Sequence, residues 1–235
     1  MSFFISVIIL VLAMLIQASM QLAPGTFALF YHYALGKNSR TKADNLSLYF
    51  TLGIITFMAT IWLFVYTFIF GFFCDKAELC LNFVPWLMVG VLLAESIASL
   101  FFYYRKGKFT ALYVPRLAAK NLDLHAQKVK NRSDAFVLGL FSGSLELIFT
   151  LPLYVVSVIE LMKINFSFRP LFIILYIIAS IIPLFAMRTL YRHDYNLATI
   201  EQLRVRTKTS TRIFISVGFL LLAIAITYVG VFYHG

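Results

Sequence analysis

The chain of 235 residues is long enough for one soluble domain or two small ones, but its composition excludes a soluble fold. Apolar residues, with Tyr and Cys counted among them, make up 61% of the chain. Only 13% of the residues are charged, against roughly 25% in soluble proteins, which is too few to cover a soluble surface. The formal charge of +10 would suggest nucleic-acid binding in a soluble protein, whereas basic loops account for it in a membrane protein.

Six apolar segments are long enough to cross a bilayer, which requires about 20 residues. They cover residues 3–34, 47–73, 82–104, 135–162, 168–190 and 213–233. The first and fourth are longer than a simple span, and each holds a proline, Pro24 or Pro152, well inside. Because proline removes a backbone donor and clashes with the preceding turn, both segments are predicted to be broken helices. The first segment has no basic start and too long an apolar run for a cleaved signal peptide.

The basic residues are concentrated in alternate connections between these segments. Of the 20 Lys and Arg residues, three lie in 35–46, eight in 105–134 and six in 188–212. Because basic residues collect in cytoplasmic loops, these connections are predicted to be cytoplasmic and both termini extracytoplasmic. The expected location is the plasma (inner) membrane, with the bilayer as partner and no nucleic acid. Within the basic connections, 117–125 and 199–204 have the mixed pattern of short amphipathic helices that lie at the membrane interface.

The six spans divide into two halves of three. Each half opens with a long segment that holds a proline and continues with two plainer spans. An odd number of spans inverts the second half in the membrane, as in the inverted repeats of secondary transporters. We therefore predict an all-α integral membrane protein with six transmembrane helices as two inverted three-helix repeats. Residues 1–235 form a single domain, with repeat one at about 1–104, a cytoplasmic linker at 105–134 and repeat two at about 135–235.

Two glutamates, Glu95 and Glu146, lie within apolar segments. An ionised carboxylate at the bilayer centre costs at least about 2.5 kcal/mol, so such residues usually face the protein interior and have a function. Burial favours the neutral form, and a carboxyl that changes protonation as access alternates is a simple device for proton coupling. The alternative is a neutral glutamate that is hydrogen-bonded to a neighbouring helix. Glu160, near the outer end of its segment, is expected to be solvated.

Other residues of the first and fourth segments fit the same interior site. In inverted-repeat transporters the substrate lies at mid-membrane, where broken helices expose backbone groups to a cavity. The small residues of the fourth segment also have a structural interpretation, because they let helices approach closely: Gly139, Ser142, Gly143 and Ser144. The predicted substrate or ion pathway consists of the carboxyls Glu146 and Glu95, the helix breaks Pro24, Gly25 and Pro152, and the lining residues Gln21, Thr26 and Thr150.

The two cysteines, Cys74 and Cys80, flank five residues of a predicted outer loop. On an oxidising face they are expected to form a structural disulfide, and their spacing is not that of a redox pair. Two cysteines do not make a four-ligand zinc site, and the sequence does not identify a metal. Nucleotide-binding and hydrolase motifs are absent from the sequence, so we predict no cofactor and favour a protein that is not an enzyme.

The span plan and one local motif resemble the membrane domain of the CcdA/DsbD-type thiol–disulfide carriers, which belong to the LysE-type transporter superfamily. In that family the fourth span often reads Cys-Glu-Phe-Pro-Cys-Thr-Gly-Gly-x-Tyr. The resemblance places Glu146, Thr150 and Tyr154 on the family pattern, while the two family cysteines fall on Leu145 and Phe149. Ala23-Pro24-Gly25 matches the proline, but not the cysteine, of the family's Asn-Pro-Cys in the first span. Because thiol exchange requires sulfur at these positions, the resemblance implies the scaffold without the redox chemistry.

Our leading hypothesis is a secondary transporter that moves a small solute or ion by alternating access, with Glu146 as its proton- or cation-linked carboxyl. A second hypothesis is a CcdA/DsbD-like electron carrier that uses Cys74 and Cys80. The third is a membrane scaffold that does not transport and binds partners through its cytoplasmic loops. The substrate is not identified by the sequence, and self-association into a homo-oligomer is left open.

Overall fold

The computed structural model describes residues 2–20, 26–27, 30–31, 33–34, 40–73, 77–101, 116–192 and 197–233. The prediction of an all-helical chain is confirmed for these residues, which contain no strand. The helices are α1 Ser2–Met20, α2 Arg40–Phe73, α3 Ala77–Phe101, α4 Arg116–Lys128, α5 Arg132–Met162, a 3-10 turn at Phe166–Phe168, α6 Arg169–Arg192 and α7 Leu197–Tyr233.

Within the described ranges, four helical stretches are long and apolar enough to cross a membrane. They are Arg40–Gly71, Val84–Phe101, Phe166–Leu190 and Ser210–Val229. Helix α5 provides a fifth if its two parts, which meet at a bend, form one span. The apolar part of α1 is shorter than these stretches. The chain therefore has the helices of a multi-pass membrane protein, while the number six remains a prediction.

Large apolar side chains cover the outside of the helices. Leu63 and Phe64 on α2 are 66% and 62% exposed, and Ile182 on α6 is 59% exposed. Contiguous apolar surface of this kind is rare on soluble proteins and is suited to contact with lipid chains. Between α2 and α6 this surface forms an open groove of about 600 Å³ that is lined mainly by isoleucines. The exterior therefore supports the bilayer as the surroundings of the protein.

Helix α2 packs most extensively against α5, and α3 packs most extensively against α7. In the first pair the backbones touch at Gly53 and Gly139. A Cβ atom on Gly53 would lie 2.2 Å from the carbonyl oxygen of Phe136, and one on Gly139 would lie 2.2 Å from that of Phe50. Only glycine allows this approach, which confirms the close-packing interpretation of Gly139.

The pair α3 and α7 is joined by a reciprocal contact between two buried serines. The Ser96 hydroxyl donates to the backbone oxygen of Ser216 at 2.9 Å, and the Ser216 hydroxyl donates to that of Ser96 at 2.9 Å. Each serine thus satisfies its hydroxyl on the opposite helix, in an arrangement that is nearly two-fold symmetric. Hydrogen bonds between spans replace those that lipid cannot supply.

The buried apolar residues form two clusters. Cluster A joins α1, the later parts of α2 and α5, the start of α6 and the end of α7, and it includes Leu10, Ile16, Leu153 and Phe219. Cluster B joins helical residues among 26–34, the earlier parts of α2 and α5, helix α4 and the end of α6, and it includes Phe30, Phe50, Leu122, Leu138 and Leu184. Helix α5 passes from cluster B to cluster A near its middle.

The structure corrects one detail of the interfacial helices and confirms another. The stretch 199–204 is not a separate short helix, because it belongs to α7, which begins at Leu197. The predicted helix at 117–125 is confirmed as α4, and its buried Leu122 and Ala126 pack in cluster B. Prolines also lie inside two further helices, Pro85 in α3 and Pro183 in α6.

Candidate functional site

A stripe of polar side chains runs along the inner face of α5. Ser142, Glu146, Thr150 and Tyr154 follow one another at intervals of four residues, and they are 0%, 6%, 4% and 2% exposed. Residues at this interval lie on the same face of a helix. The stripe lies where α5 passes between the two apolar clusters. Buried polar groups in apolar surroundings are costly, so a continuous stripe marks this face as the candidate functional site.

Helix α5 bends by 78° beside this stripe, between its parts Arg132–Leu147 and Phe149–Met162. Pro152 lies within α5 and has no N–H to donate to the carbonyl four residues earlier, which belongs to residue 148. The Thr150 hydroxyl donates to the Glu146 carbonyl at 3.1 Å and so satisfies another backbone group near the bend. The bend therefore lies within the stripe, between Glu146 and Thr150.

A second layer of polar and aromatic residues meets the stripe at Tyr154. Gln17 of α1 donates from Nε2 to the Tyr154 hydroxyl at 2.8 Å, and the hydroxyl of Tyr176 on α6 donates to Gln17 Oε1. The ring of Trp62 on α2 lies against both tyrosines, with centroid distances of 5.7 Å to Tyr154 and 4.9 Å to Tyr176. One amide thus bridges two phenols, and four helices meet at this cluster.

Several polar atoms in this interior have no hydrogen-bond partner. Within the described part of the chain, they include Trp62 Nε1, Ser142 Oγ and Ser180 Oγ. An unsatisfied buried donor or acceptor costs about 1–3 kcal/mol, and such groups are rare in native proteins. Ser180 follows Tyr176 by one turn of α6, so it extends the polar face of that helix. These atoms could form hydrogen bonds with a polar molecule bound in the interior.

Glu146 is buried, as expected for a glutamate inside an apolar segment. It lies about two turns before Tyr154 on the polar face of α5, so the carboxyl and the aromatic cluster belong to one candidate site. Glu95 is half-buried on α3, next to the serine that joins α3 to α7. The structure therefore brings Glu146, Thr150 and Pro152 together on α5, and it places Glu95 on a helix that packs mainly on α7.

The other predicted site residues are only partly described. Thr26 is buried, 4% exposed, and precedes Phe27 of cluster B. Gln21, Pro24 and Gly25 lie outside the described residues, as does Cys74. Cys80 belongs to α3, but its side chain is not described, so the disulfide between Cys74 and Cys80 remains a prediction.

Glu160 is buried, 2% exposed, and the expectation that it is solvated is wrong. One carboxylate oxygen accepts from the Ser6 hydroxyl of α1 at 2.7 Å, and the other accepts from Lys163 Nζ at 2.6 Å. Arg169 lies nearby and donates to the carbonyl of Met162, the last residue of α5, and to that of Ile164, just beyond the helix. Proximity to the end of a span suggested solvent, but α1 covers the side chain. The group clamps α1 to the end of α5.

At the opposite end of α5, hydrogen bonds join elements of cluster B. The Tyr31 hydroxyl donates to Asp44 Oδ1 at 2.7 Å. Gln127 of α4 donates from Nε2 to the Tyr33 hydroxyl at 3.2 Å. Hydrogen bonds between separate elements therefore occur beyond both ends of the polar stripe.

Sequence reasoning missed five residues of the site: Gln17, Trp62 and Tyr176, with Ser142, which was given a packing role, and Tyr154, which appeared only in the family resemblance. Gln17 carried a signal, because it is a polar residue within the apolar run of α1. Trp62 and Tyr176 carried none, because an aromatic residue in an apolar segment fits lipid contact and core packing equally well.

No group of three or more His, Cys, Asp or Glu side chains that could hold a metal ion occurs among the residues that the structure describes. Comparisons with known proteins returned no match: no family model, no curated protein and no solved structure is similar to this chain.

Proposed function

We propose that this membrane protein is a secondary transporter that moves a small polar solute or ion by alternating access. The observation that carries the proposal is the buried polar stripe of α5, which contains Glu146 and lies at a 78° bend between two apolar clusters. Irregular helix geometry deep in a membrane is tolerated where it is enclosed by protein or lines a cavity, and broken helices form the substrate sites of many transporters.

The energetics favour a role in transport over a role in packing. A carboxyl group inside an apolar bundle opposes folding by a few kcal/mol, and unsatisfied polar atoms add to that cost. An interior that served only to pack helices would be more stable with apolar residues at Ser142, Glu146 and Thr150. A transporter requires such groups, because its site must replace the water that a polar solute loses on entering the membrane.

The more extensive contacts between helices support the proposed inverted repeat of six spans, whereas the small α2–α3 and α5–α6 contacts have no equally extensive counterpart. Exchange of the halves replaces α1 by α5, α2 by α6 and α3 by α7. Under this exchange the α2–α5 contact becomes α6–α1, and the α1–α7 contact becomes α5–α3; all four contacts occur. The pairs α3–α7, α1–α5 and α2–α6 map onto themselves and also occur. The reciprocal bonds of Ser96 and Ser216 are as expected for residues near a two-fold axis. The resemblance to the CcdA/DsbD-type scaffold is proposed on the same basis, without its thiol chemistry.

The two ends of the stripe provide the gates that alternating access needs. In this proposal the bond of Ser6 to Glu160 breaks when the site opens to one side of the membrane. The bonds of Tyr31 and Gln127 break when it opens to the other side. Basic residues predict that the end with Tyr31 faces the cytoplasm of a plasma (inner) membrane, with both termini extracytoplasmic. A solute released at one end then finds the other end closed.

The proposal is tested by cysteine accessibility in sealed vesicles, with both native cysteines replaced by serine. A membrane-impermeant charged maleimide is added to either face of the Thr150→Cys variant. We expect labelling from each face, because the site is exposed to the two sides in turn. Matched controls are Ile182→Cys, on the lipid-facing side of α6, which should not react, and Lys130→Cys and Asn165→Cys, which are exposed near opposite ends of α5.

The controls also test the orientation of the chain. Under the proposed topology Lys130→Cys reacts from the cytoplasmic face and Asn165→Cys from the outer face. Labelling of Thr150→Cys from one face only, or from neither while both end controls react, would contradict alternating access. The second of these outcomes would favour a non-transporting scaffold with a dry interior.

A further inference from the structure

Two hydrogen-bond donors in the aromatic cluster have no acceptor in the described part of the chain. Trp62 Nε1 is buried and unpartnered. The Tyr154 hydroxyl accepts a bond from Gln17, and that is its only hydrogen bond to the described residues, so its own proton is unused. The two side chains are 2% exposed and their ring centroids lie 5.7 Å apart. The two unused donors therefore occur within a single buried contact.

The chemistry of these donors restricts what can bind them. An indole N–H only donates, so a metal cation or an ammonium group cannot satisfy it. The faces of neighbouring tyrosine rings are weak acceptors and offset little of the cost of a buried donor. Both donors require an oxygen atom with free lone pairs, and a carboxylate or an amide carbonyl presents such an oxygen. Gln17 does not provide it, because its Nε2 faces the Tyr154 hydroxyl while its oxygen is bonded to Tyr176.

We propose that Trp62 and Tyr154 bind the oxygen acceptor of a small organic solute, a carboxylate or an amide carbonyl. This proposal rests on the proposed transport function and names the class of its substrate. The aromatic rings of Trp62, Tyr154 and Tyr176 then pack against the apolar part of the solute, as aromatic residues do in small-molecule sites. Glu146, about two turns before Tyr154 on the same face of α5, is the carboxyl group of the stripe.

Tryptophan fluorescence provides the test of this proposal. It contains two tryptophans, Trp62 and Trp86, and Trp86 is 50% exposed on α3. In the Trp86→Phe variant, reconstituted in lipid nanodiscs, fluorescence therefore reports on Trp62 alone. Propionate, propionamide and propylammonium are titrated at constant ionic strength. These probes have similar size, and only the first two carry an oxygen acceptor.

We expect a saturable change in Trp62 emission with propionate, with propionamide or with both, and none with propylammonium. The stronger response of the two shows whether the site prefers the charged carboxylate oxygen of propionate or the neutral carbonyl oxygen of propionamide. In the same background Tyr154→Phe removes one donor and should weaken binding roughly tenfold, since the loss of one hydrogen bond is worth about 1 kcal/mol or slightly more. Tyr228→Phe, at a residue 52% exposed on α7, is the matched control and should leave the titration unchanged.

A response to propylammonium that equals the response to propionate would overturn the proposal, as would no response to any of the three. The second outcome would mean that water satisfies the two donors. If Thr150→Cys still reacts from both faces, the transport proposal stands and only the solute class fails. If Thr150→Cys reacts from neither face, both proposals fail.

Discussion

Replacement of Gly139 by alanine tests the packing of α2 on α5, which holds the polar stripe in place. The new Cβ would lie 2.2 Å from the carbonyl oxygen of Phe50, whereas Cβ contacts shorter than 3.0 Å essentially never occur. The two helices must therefore separate by roughly 1 Å at this point, because both atoms belong to backbone or are fixed to it. A gap of that size forfeits about a quarter to a half of the local dispersion energy. Overpacking of this kind costs about 1–3 kcal/mol.

We expect Gly139→Ala to lie at the upper end of that range, because no side chain can rotate to relieve the contact. Gly143→Ala should cost less, because its Cβ meets the side chain of Phe57 at 2.7 Å, and that ring can move. Gly90→Ala is the matched control: its Cβ would meet no atom within 4 Å, and alanine favours helix by up to about 1 kcal/mol. The measurement is thermal unfolding in one detergent, followed by the loss of the monodisperse peak in size-exclusion chromatography.

The expected order of stability is Gly90→Ala above wild type, followed by Gly143→Ala and then Gly139→Ala. A Gly139→Ala variant as stable as Gly90→Ala would refute the close approach of the two backbones. It would also contradict the packing of α2 on α5 in the register that Gly53 and Gly139 define.

Two further predictions concern the end clamp and the tryptophans. Ser6→Ala removes a hydrogen bond to the buried Glu160 carboxylate and should destabilise the protein by about 1.5–3 kcal/mol. The control Thr56→Ala, at an exposed hydroxyl bonded within its own helix, should change stability little. Equal unfolding temperatures for the two variants would contradict the clamp. Brominated lipid quenches the fluorescence of tryptophans that face the acyl chains. Trp86, in the Trp62→Phe variant, should be quenched strongly because it is 50% exposed, and Trp62, in the Trp86→Phe variant, weakly because it is 2% exposed. Equal quenching would show that Trp62 faces lipid.

Part of the site was predictable from local pattern. Glu146 was expected to face inward, because lipid does not solvate a carboxyl, and the structure buries it. Thr150 was predicted to line the same interior and is buried, whereas Ser142 was expected only to let helices approach closely. The close approach at Gly139 followed from the enrichment of small residues where membrane helices touch. The roles of Glu95 and Glu146 in transport remain predictions.

Other parts were not predictable, because they depend on distant segments. Glu160 lies near the end of its helix, a position that predicts solvent, but Ser6 from the other end of the chain covers it. Trp62 and Tyr176 lie in apolar runs in which aromatic residues usually face lipid or core. The bond of Tyr176 to Gln17 and the contact of Trp62 with Tyr176 became apparent only when α1, α2 and α6 were placed around α5.

The sequence by itself determined that the chain is helical and suited to a membrane. Long apolar runs with few charges leave the backbone no partner in lipid except its own helix, so composition and length decide the type of structure. Only the tertiary structure decided which polar side chains form a site, since Gln17 is 137 residues from Tyr154 and 159 from Tyr176. The physical reason is that a local pattern reports the polar face of one helix. The rotation and register of neighbouring helices depend on how their side chains interlock, as at Gly53 and Gly139.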